Sequence, residues 1–225
     1  MAGALVVLEG VEGAGKTTQV ARLVARLRAG GRTAQSCREP GGTALGDAVR
    51  ALLLDPDGDV APEAEALLFF ASRAQLVARV IVPALARGEV VVLDRFFLSS
   101  YAYQIAGRGL DRDRIRDANR LAVGGVRPDV TCVLDFPVTD GLARAGRRGA
   151  TDRLEGAGDA FHARVAAAFA AALTPDWQAT HPETGPIVRV EATGAPDEVE
   201  GRVARAVAAH VPALGPVLGV AEHAE

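Results

Sequence analysis

Lysine is almost missing from this chain of 225 residues. Lys16 is the only lysine among 25 cationic residues, and all the others are arginines. A compact ammonium on a flexible stem can work where a planar guanidinium does not fit, so a retained lysine suggests a specific task. Chance survival of one lysine explains the count equally well by itself. The residues around Lys16 therefore have to decide between the two readings.

Aromatic residues, cysteines and excess charge are also scarce. Aromatics make up 4% of the chain and apolar residues 49%, which favours small-residue helices packed on aliphatic strands over a β-sandwich. Cys37 and Cys132 lie far apart in apolar runs without metal-ligand spacing, which predicts reduced, buried thiols. A net charge of -3 gives no reason to expect binding to nucleic acid or to an acidic membrane.

Long apolar runs are absent as well. No run reaches the 18 residues of a membrane span, and residues 1–10 lack the basic segment and apolar length of a signal peptide. The length suits one α/β domain with a sizeable core. We therefore expect a single domain over residues 1–225 in the cytoplasm, with the Pro/Gly-broken tail at 212–225 prone to fray.

What the chain does contain is a regular alternation of strand-like and helix-like segments. This pattern predicts a five-stranded parallel sheet with helices on both faces, a three-layer α/β/α fold with ligands at the carboxyl ends of the strands. The predicted strands are 4–9, 33–37, 89–93, 129–136 and 187–191. The predicted helices are 16–28, 43–54, 62–86, 98–105, 111–123, 159–173 and 197–210.

The first predicted strand runs directly into the pattern GxxxxGK[ST], followed by a helix. The motif comprises Gly10, Val11, Glu12, Gly13, Ala14, Gly15, Lys16 and Thr17. Its glycines let backbone N–H groups point at the phosphates of ATP, Lys16 reaches the same oxygens, and the Thr17 hydroxyl can hold Mg²⁺. A Gly-rich turn that binds nothing is the alternative. The motif alone indicates a P-loop NTPase or kinase.

Five blocks together resemble the bacterial thymidylate kinases, in that family's order and spacing over about residues 4–180. They are LEGVEGAGKTTQ, REPGGT at 38–43, LLFFASRAQL at 67–76, DRFFLSSYAYQ at 94–104 and RRGATDRLE at 147–155. The resemblance implies a P-loop fold and transfer of the γ-phosphoryl group from ATP to dTMP with Mg²⁺. It also implies a homodimer formed by apolar helix faces, for which 63–86 and 97–106 are the candidates.

For the phosphates, the resemblance assigns three residues that follow predicted strands. Asp94 orients Mg²⁺, Arg95 bridges the acceptor phosphate and the transferring group, and Arg38 clamps the acceptor phosphate, where a guanidinium can bind in two-pronged fashion. An ordinary surface ion pair is the alternative for Asp94 and Arg95. A solvated arginine on a turn is the alternative for Arg38.

For the base, the resemblance assigns a helical pair four residues apart, and such a pair shares a face. Phe69 stacks on thymine and Arg73 hydrogen-bonds its O4 atom. A helical Phe is more often part of the core, and Phe70 or Leu68 is the alternative candidate for that inner position.

The sugar and the base edge have their own implied residues at i, i+3 and i+4 spacing. Ser100 and Gln104 read the base edge, and Tyr103 forms a wall beside C2′ that excludes a ribose hydroxyl. Glu12, unusual beside phosphates, lies near the 3′-hydroxyl. One departure is that many family members place Tyr or His after the Asp-Arg pair, where this chain has Phe96-Phe97.

An Arg-rich segment at about 142–156 resembles the mobile lid of these kinases. Its arginines are Arg144, Arg147, Arg148 and Arg153. Family members without a P-loop arginine carry the catalytic one in the lid, which makes Arg148 the first choice and Arg153 the second. Glu155 orients lid arginines or water. A merely solvated basic loop is the alternative.

Three other functions compete with this interpretation. A regulatory P-loop ATPase would leave the Phe69 and Arg73 pair without a task, a kinase for another nucleotide would need a different base edge, and an inactive homologue would have lost its cations. We expect direct in-line transfer, in which Lys16 and the lid offset charge and closure excludes water. The acceptor phosphate is already an anion, so no strong general base is needed.

Overall fold

The computed structural model describes residues 2–147 and 152–220, and its centre is a parallel sheet. Five strands are hydrogen-bonded in the order β2-β3-β1-β4-β5, and every pairing is parallel. The strands are β1 (Ala4–Glu9), β2 (Ala34–Arg38), β3 (Val90–Asp94), β4 (Val130–Asp135) and β5 (Ile187–Glu191). All residues of β1 and β3 are buried, as continuous aliphatic runs in a covered parallel sheet require. The α/β prediction is confirmed.

Helices cover the sheet, and most follow the predicted segments closely. They are α1 (Lys16–Ala29), α2 (Ala44–Leu54), α3 (Pro62–Leu76), α4 (Val82–Ala86), α5 (Phe97–Ser100), α6 (Arg112–Val123), α7 (Val138–Gly146), α8 (Asp159–Ala172), α9 (Pro175–Thr180) and α10 (Pro196–His210). The sequence did not predict α7 or α9. Residues 142–146, the start of the expected lid at 142–156, complete α7.

The register of the strands brings three loops to one edge of the sheet. Leu8 of β1 pairs with Asp94 of β3, and Asp94 also pairs with Arg38 of β2. Because parallel strands end side by side, the P-loop, the turn at Arg95 and the loop at Glu39 emerge at the same level. These three loops therefore adjoin one another at the carboxyl ends of the strands, where the sequence predicts the site.

The predicted helix at 62–86 is interrupted by a π-helical segment, Val77–Ile81. By length and composition alone, the 25 residues Pro62–Ala86, which contain an 18-residue window with a mean hydropathy of 1.5, could cross a membrane. Core helices of folded domains have the same character. Here Glu65 and Arg73 are buried and ion-paired, and α3 packs between α2 and α6, although only 39% of that window is buried.

The predicted helix at 98–105 is also unusual. It begins as α5 and continues as a π-helical segment, Tyr101–Gly107, packed against α8. Its residues from Phe97 to Gln104 are buried inside the chain. This burial within one chain leaves little of 97–106, one of the two candidate dimer faces, exposed for a second copy.

Residues 212–220 do not fray as expected. A 3₁₀ turn at Pro212–Leu214 leads into a segment that buries Leu214 and Leu218. Arg26 Nε donates to the Leu218 carbonyl oxygen at 2.7 Å. Proline and glycine end α10 without preventing the two leucines from packing, so composition alone was misleading here. Both cysteines are buried and unbonded, as predicted.

Candidate active site

A cavity of about 280 Å³ opens at the carboxyl edge of the sheet. Most of the residues singled out in the sequence line it. These are Glu12, Gly13, Gly15, Lys16, Thr17, Arg38, Phe69, Arg73, Asp94, Arg95, Tyr103 and Gln104. Gly10, Val11 and Ala14 shape the loop behind the lining, Ser100 and Arg153 lie elsewhere, and Arg148 is outside the described residues.

The P-loop wraps around the ammonium of Lys16. Lys16 Nζ donates to the carbonyl oxygens of Gly10 at 3.1 Å and Val11 at 2.7 Å, and Gly15 enters α1 with a φ of 91° that suits glycine. Burial and the nearby Arg95 lower the pKa of Lys16 to about 8. An anion at the N-terminus of α1 would favour the charged ammonium.

The P-loop also lies directly against α7, a contact that the sequence did not reveal. A Cβ atom on Gly13 would lie 2.0 Å from the Gly141 carbonyl oxygen, and one on Gly141 would lie 2.1 Å from the Glu12 carbonyl oxygen. Only glycines at both positions permit this approach. A glycine inside a helical segment, which costs about 1 kcal/mol relative to alanine, is the signal that could have identified Gly141.

Thr17 and Asp94 meet across the loops that follow β1 and β3. The Thr17 hydroxyl donates to Asp94 Oδ2 at 2.6 Å. Hydroxyl and carboxylate oxygens are ligands that suit Mg²⁺, which usually keeps water and substrate oxygens as its other ligands. No group of three His, Cys, Asp or Glu residues that could hold a metal exists within the described residues. The donor set therefore fits a metal shared with a phosphate-bearing substrate.

Arg95 crosses the P-loop instead of forming a surface ion pair. Its Nη2 lies 2.6 Å from Glu12 Oε1, and its Nη1 donates to the Gly10 carbonyl oxygen and to Ser99 Oγ, both at 3.2 Å. The guanidinium lies 4.8 Å from the ring centre of Tyr103. Arg95 is thus fixed on the loop that carries Lys16.

Glu12 links the two cations of the cavity. Burial opposes its ionisation, but Arg95 and Lys16 overcome that effect and lower the pKa of Glu12 to about 2. The Tyr103 hydroxyl donates to the same Oε1 atom at 3.1 Å. The unusual acidic residue of the P-loop is therefore a charged partner of Arg95.

Arg73 lies at the floor of the cavity with its side chain 2% exposed. Its Nε donates to Glu39 Oε2 and its Nη1 to Ser100 Oγ, both at 2.7 Å. Nη1 also donates to Asn119 Oδ1, and Nη2 donates to the Phe96 carbonyl oxygen at 2.9 Å. The sequence analysis missed Glu39 and Asn119, although Glu39 stands in the quoted REPGGT block.

The i, i+3, i+4 spacing suggested that Ser100 faces the cavity together with Tyr103 and Gln104. In the structure it does not line the cavity with them. Its hydroxyl accepts from Arg73 and is absent from the cavity lining. The reason is the π-helical segment that starts at Tyr101, because its wider turn breaks the i, i+3, i+4 relationship of an α-helix. Gln104 lines the cavity and donates to Glu65 Oε1 at 3.4 Å.

The adjacent phenylalanines of α3 face different environments. Phe69 is half-buried and lines the cavity, whereas Phe70 is buried with Ala66, Ile115 and Ala122. Phe70 is thus the core member of the pair.

Phe96 and Phe97, which follow the Asp-Arg pair where many family members place Tyr or His, pack in the core. Both rings are buried, and that of Phe96 is centred 5.5 Å from the Arg73 guanidinium. Both rings belong to the hydrophobic core, and the Phe96 carbonyl oxygen accepts from Arg73.

The arginines of the expected lid are dispersed. Arg144 lies on α7 with its guanidinium 4.1 Å from the ring centre of Phe136, and Arg147 Nε donates to the Ala143 carbonyl oxygen at 3.2 Å. Arg153 does not point into the cavity, because its Nη2 lies 2.8 Å from the buried Glu65 Oε2 and its Nε donates to the Leu53 carbonyl oxygen. Glu65 also holds Arg108 at 2.7 Å.

The remaining predicted positions flank the cavity. Glu155 lines it, together with Asp152 and Leu154, and Glu155 Oε2 accepts from the Asp152 backbone N–H at 3.4 Å. Arg38 is the most exposed of the cavity cations, with its side chain 57% exposed and 3.9 Å from Asp47 Oδ1. Arg50 also lines the cavity, and the sequence analysis did not single it out.

Comparison with known proteins agrees with this geometry. The family model described as thymidylate kinase matches residues 8–192. A thymidylate kinase from Deinococcus radiodurans is 48% identical over 91% of this chain and 96% of its own length. One from a Synechococcus strain is 50% identical over 92% and 95%, respectively.

Solved structures give the same result. The crystal structure of a thymidylate kinase from Ehrlichia chaffeensis superposes with a TM-score of 0.70 at 27% identity, covering 92% of this chain and all of that one. The chain therefore belongs to the thymidylate kinase family, whose members phosphorylate dTMP to dTDP with ATP.

Proposed function

We propose that this chain transfers the γ-phosphoryl group of ATP to dTMP in one in-line displacement inside the cavity described above. The observation that carries the proposal is the convergence of Lys16 and Arg95. Lys16 Nζ and Arg95 Nη1 both donate to the Gly10 carbonyl oxygen, at 3.1 and 3.2 Å. One cation follows the P-loop and the other follows β3, so a donor and an acceptor phosphate can each meet a fixed positive charge.

On the donor side, the P-loop and the N-terminus of α1 bind the phosphates of ATP. Lys16 exchanges its backbone carbonyl partners for phosphate oxygens, and the phosphate charge favours its ammonium form. Thr17 and Asp94 are the side chains that hold Mg²⁺. The metal neutralises phosphate charge when bound, in the way this class of reaction uses it.

On the acceptor side, Arg95 and Arg38 bind the dTMP phosphate. Arg95 is fixed by Glu12 and Tyr103, whereas Arg38 is exposed and free to follow the substrate. A phosphate monoester is largely anionic near neutral pH, so the nucleophile needs orientation more than deprotonation. Precise alignment then supplies most of the rate enhancement.

The base lies between Phe69 and the floor formed by Arg73. Phe69 offers a π-face, and Gln104 reads the adjacent edge. The N–H groups of Arg73 are engaged by Glu39, Ser100, Asn119 and the Phe96 carbonyl oxygen, so Arg73 donates to the O4 carbonyl by exchanging one of these partners for it. Ser100 contributes indirectly, because its hydroxyl orients Arg73. Tyr103 closes the sugar side beside Glu12 and favours deoxyribose.

The lid cations are assigned with Arg148 first and Arg153 second. Arg148 lies outside the described residues. Arg153 acts on the transferring group only after it leaves Glu65, which keeps Arg108 as a partner. An arginine delivered by closure stabilises charge on the equatorial oxygens of the moving group.

We also propose a homodimer in the cytoplasm. Leucines with large exposed fractions lie on α2, α3 and α6, which pack side by side: Leu45 at 48%, Leu52 at 59%, Leu67 at 63% and Leu121 at 86%. Exposed leucines on adjoining helices support a surface that is covered by a second copy.

Acceptor specificity tests the proposed function directly. We expect release of ADP with ATP, Mg²⁺ and dTMP, a lower rate with dUMP, and rates near background with dCMP, dGMP, AMP or no acceptor. Cytosine presents an amine where Arg73 requires a carbonyl. A coupled assay measures these rates, and EDTA abolishes them. Hydrolysis that ignores the acceptor, or that requires an added protein, contradicts the proposal.

The stacking role is tested by replacing each of two adjacent phenylalanines with alanine in separate variants. Phe69→Ala should raise the KM for dTMP about tenfold or more with little change in Tm, since stacking of a base on an aromatic ring contributes about 1–3 kcal/mol. The control, Phe70→Ala, should instead lose about 3–5 kcal/mol of stability while the folded enzyme keeps its KM for dTMP. A wild-type KM in the Phe69→Ala enzyme refutes the assignment.

The contact between α7 and the P-loop is tested by adding one methyl group. Gly141→Ala places a Cβ 2.1 Å from the Glu12 carbonyl oxygen, so the loop must move, and we expect the KM for ATP to rise at least tenfold. Gly146→Ala on the same helix is the matched control, because its Cβ meets nothing within 4 Å. Steady-state kinetics decide, and equal KM values in both variants would show that the contact is unimportant.

The dimer is tested by placing a charge among the exposed leucines of α3 and α6. Leu67→Glu and Leu121→Glu should convert a dimer to a monomer in sedimentation velocity, because a buried carboxylate at an apolar interface is costly. Ala163→Glu, at an exposed position on α8, should leave the dimer intact. A wild-type chain that sediments as a monomer removes this proposal.

A further inference from the structure

Glu9 is a buried carboxylate that the mechanism above does not use. It is the last residue of β1 and is 0% exposed. Its Oε1 accepts the backbone N–H groups of Phe96 and Ser99, each at 2.9 Å, and its Oε2 accepts the Ser99 hydroxyl at 2.6 Å. These are N–H groups at the start of α5 that have no partner within the helix. Glu9 therefore caps α5 from a neighbouring strand.

The capped residues adjoin a turn of unusual conformation. Arg95 has a φ of 69°, the only positive φ of a non-glycine residue in the described ranges. A left-handed conformation with a side chain persists only when its surroundings enforce it. Glu9 fixes the residues after the turn, and the Leu8 carbonyl oxygen fixes the turn itself by accepting from Arg95 N at 3.0 Å. Strand β1 thus holds the backbone that aims Arg95.

The Ser99 hydroxyl joins Glu9 to the guanidinium of Arg95. It has one proton, which it donates to Glu9 Oε2, so only lone pairs remain for Arg95 Nη1 at 3.2 Å. A guanidinium can only donate, and an ionised carboxylate can only accept. Glu9 consequently fixes the direction in which the hydroxyl points, and that direction is the one Arg95 requires.

We propose that Glu9 is a positioning residue for phosphoryl transfer, which acts through the Ser99 hydroxyl to hold Arg95 toward the acceptor phosphate. This inference rests on the proposed role of Arg95 at that phosphate. Charges of both signs face the group: Arg95 and Lys16 from the cavity, and Glu39 from the loop after β2. Because the Ser99 hydroxyl contacts Arg95 on the acceptor side, a change in the direction of that hydroxyl should affect turnover more than the binding of ATP.

The test is a double-mutant cycle on kcat with E9Q and S99A. A glutamine at position 9 keeps the size of the side chain and an oxygen for both backbone N–H groups. Its NH₂ group, however, donates to one lone pair of the Ser99 hydroxyl, so the hydroxyl proton loses its acceptor at position 9 and its direction is no longer fixed away from Arg95. We expect E9Q to lower kcat tenfold or more with the KM for ATP within twofold of wild type.

In the S99A background there is no hydroxyl whose direction a change at Glu9 could alter. The same change at Glu9 should then lower kcat less than threefold. A purely structural role gives equal, additive losses in the two backgrounds and a fall in Tm that follows them, and that result overturns the proposal. Thr131→Val controls for loss of a buried hydroxyl, because Thr131 donates to the Thr184 carbonyl oxygen away from the cavity.

One further variant keeps the outcomes distinct. Arg95→Ala tests the proposed function: unchanged kcat in that variant refutes the role of Arg95 and the inference with it. A 100-fold or larger loss in Arg95→Ala beside wild-type rates in E9Q and S99A refutes the inference alone. If E9Q does not fold, S99A decides, since a loss of fivefold or more at constant KM for ATP supports the relay and a wild-type rate excludes it.

Discussion

The repulsion between Lys16 and Arg95 is the constraint on which the rest of the site depends. Both cations donate to the same carbonyl oxygen, that of Gly10, inside a largely buried cavity. Two like charges that share one acceptor oxygen destabilise each other unless carboxylates offset them. Glu12 supplies the main compensation, and its pKa of about 2 reflects the two cations around it. With that compensation, the pair presents positive charge on the side of the cavity that we propose binds the phosphates.

The sheet supplies this charge arrangement through its register. Because Leu8 pairs with Asp94, the loops after β1 and β3 leave the sheet side by side, and Arg95 can reach back across the P-loop. Behind that loop, Gly141 of α7 contacts the Glu12 backbone, and in front of it Tyr103 contacts the Glu12 carboxylate. Glu12, which balances the two cations, is thus held by α7 on one side and by Tyr103 on the other.

Local patterns in the sequence predicted the fold and most of the lining. The alternation of strand-like and helix-like segments predicted five strands, and the P-loop spacing predicted the position of Lys16. Contacts between distant residues were not readable in the same way. Nothing in the spacing places Glu9 under Ser99, Asn119 beside Arg73 or Glu65 against Arg153, since these pairs form only when separate elements pack. The contact of Ser100 with Arg73 was not predicted either, because a π-helical segment is not visible in a pattern read with the α-helical period.

Stereochemistry at phosphorus tests the central claim most directly, which is that the cavity holds both phosphates for a single displacement. The measurement uses ATP made chiral at the γ-phosphorus with oxygen isotopes and sulfur, followed by analysis of the configuration in the product dTDP. A single in-line transfer predicts inversion, because the acceptor oxygen attacks opposite the leaving oxygen. Retention would require two displacements through a phosphorylated side chain, and it would contradict a site in which cations align the substrates without a protein nucleophile.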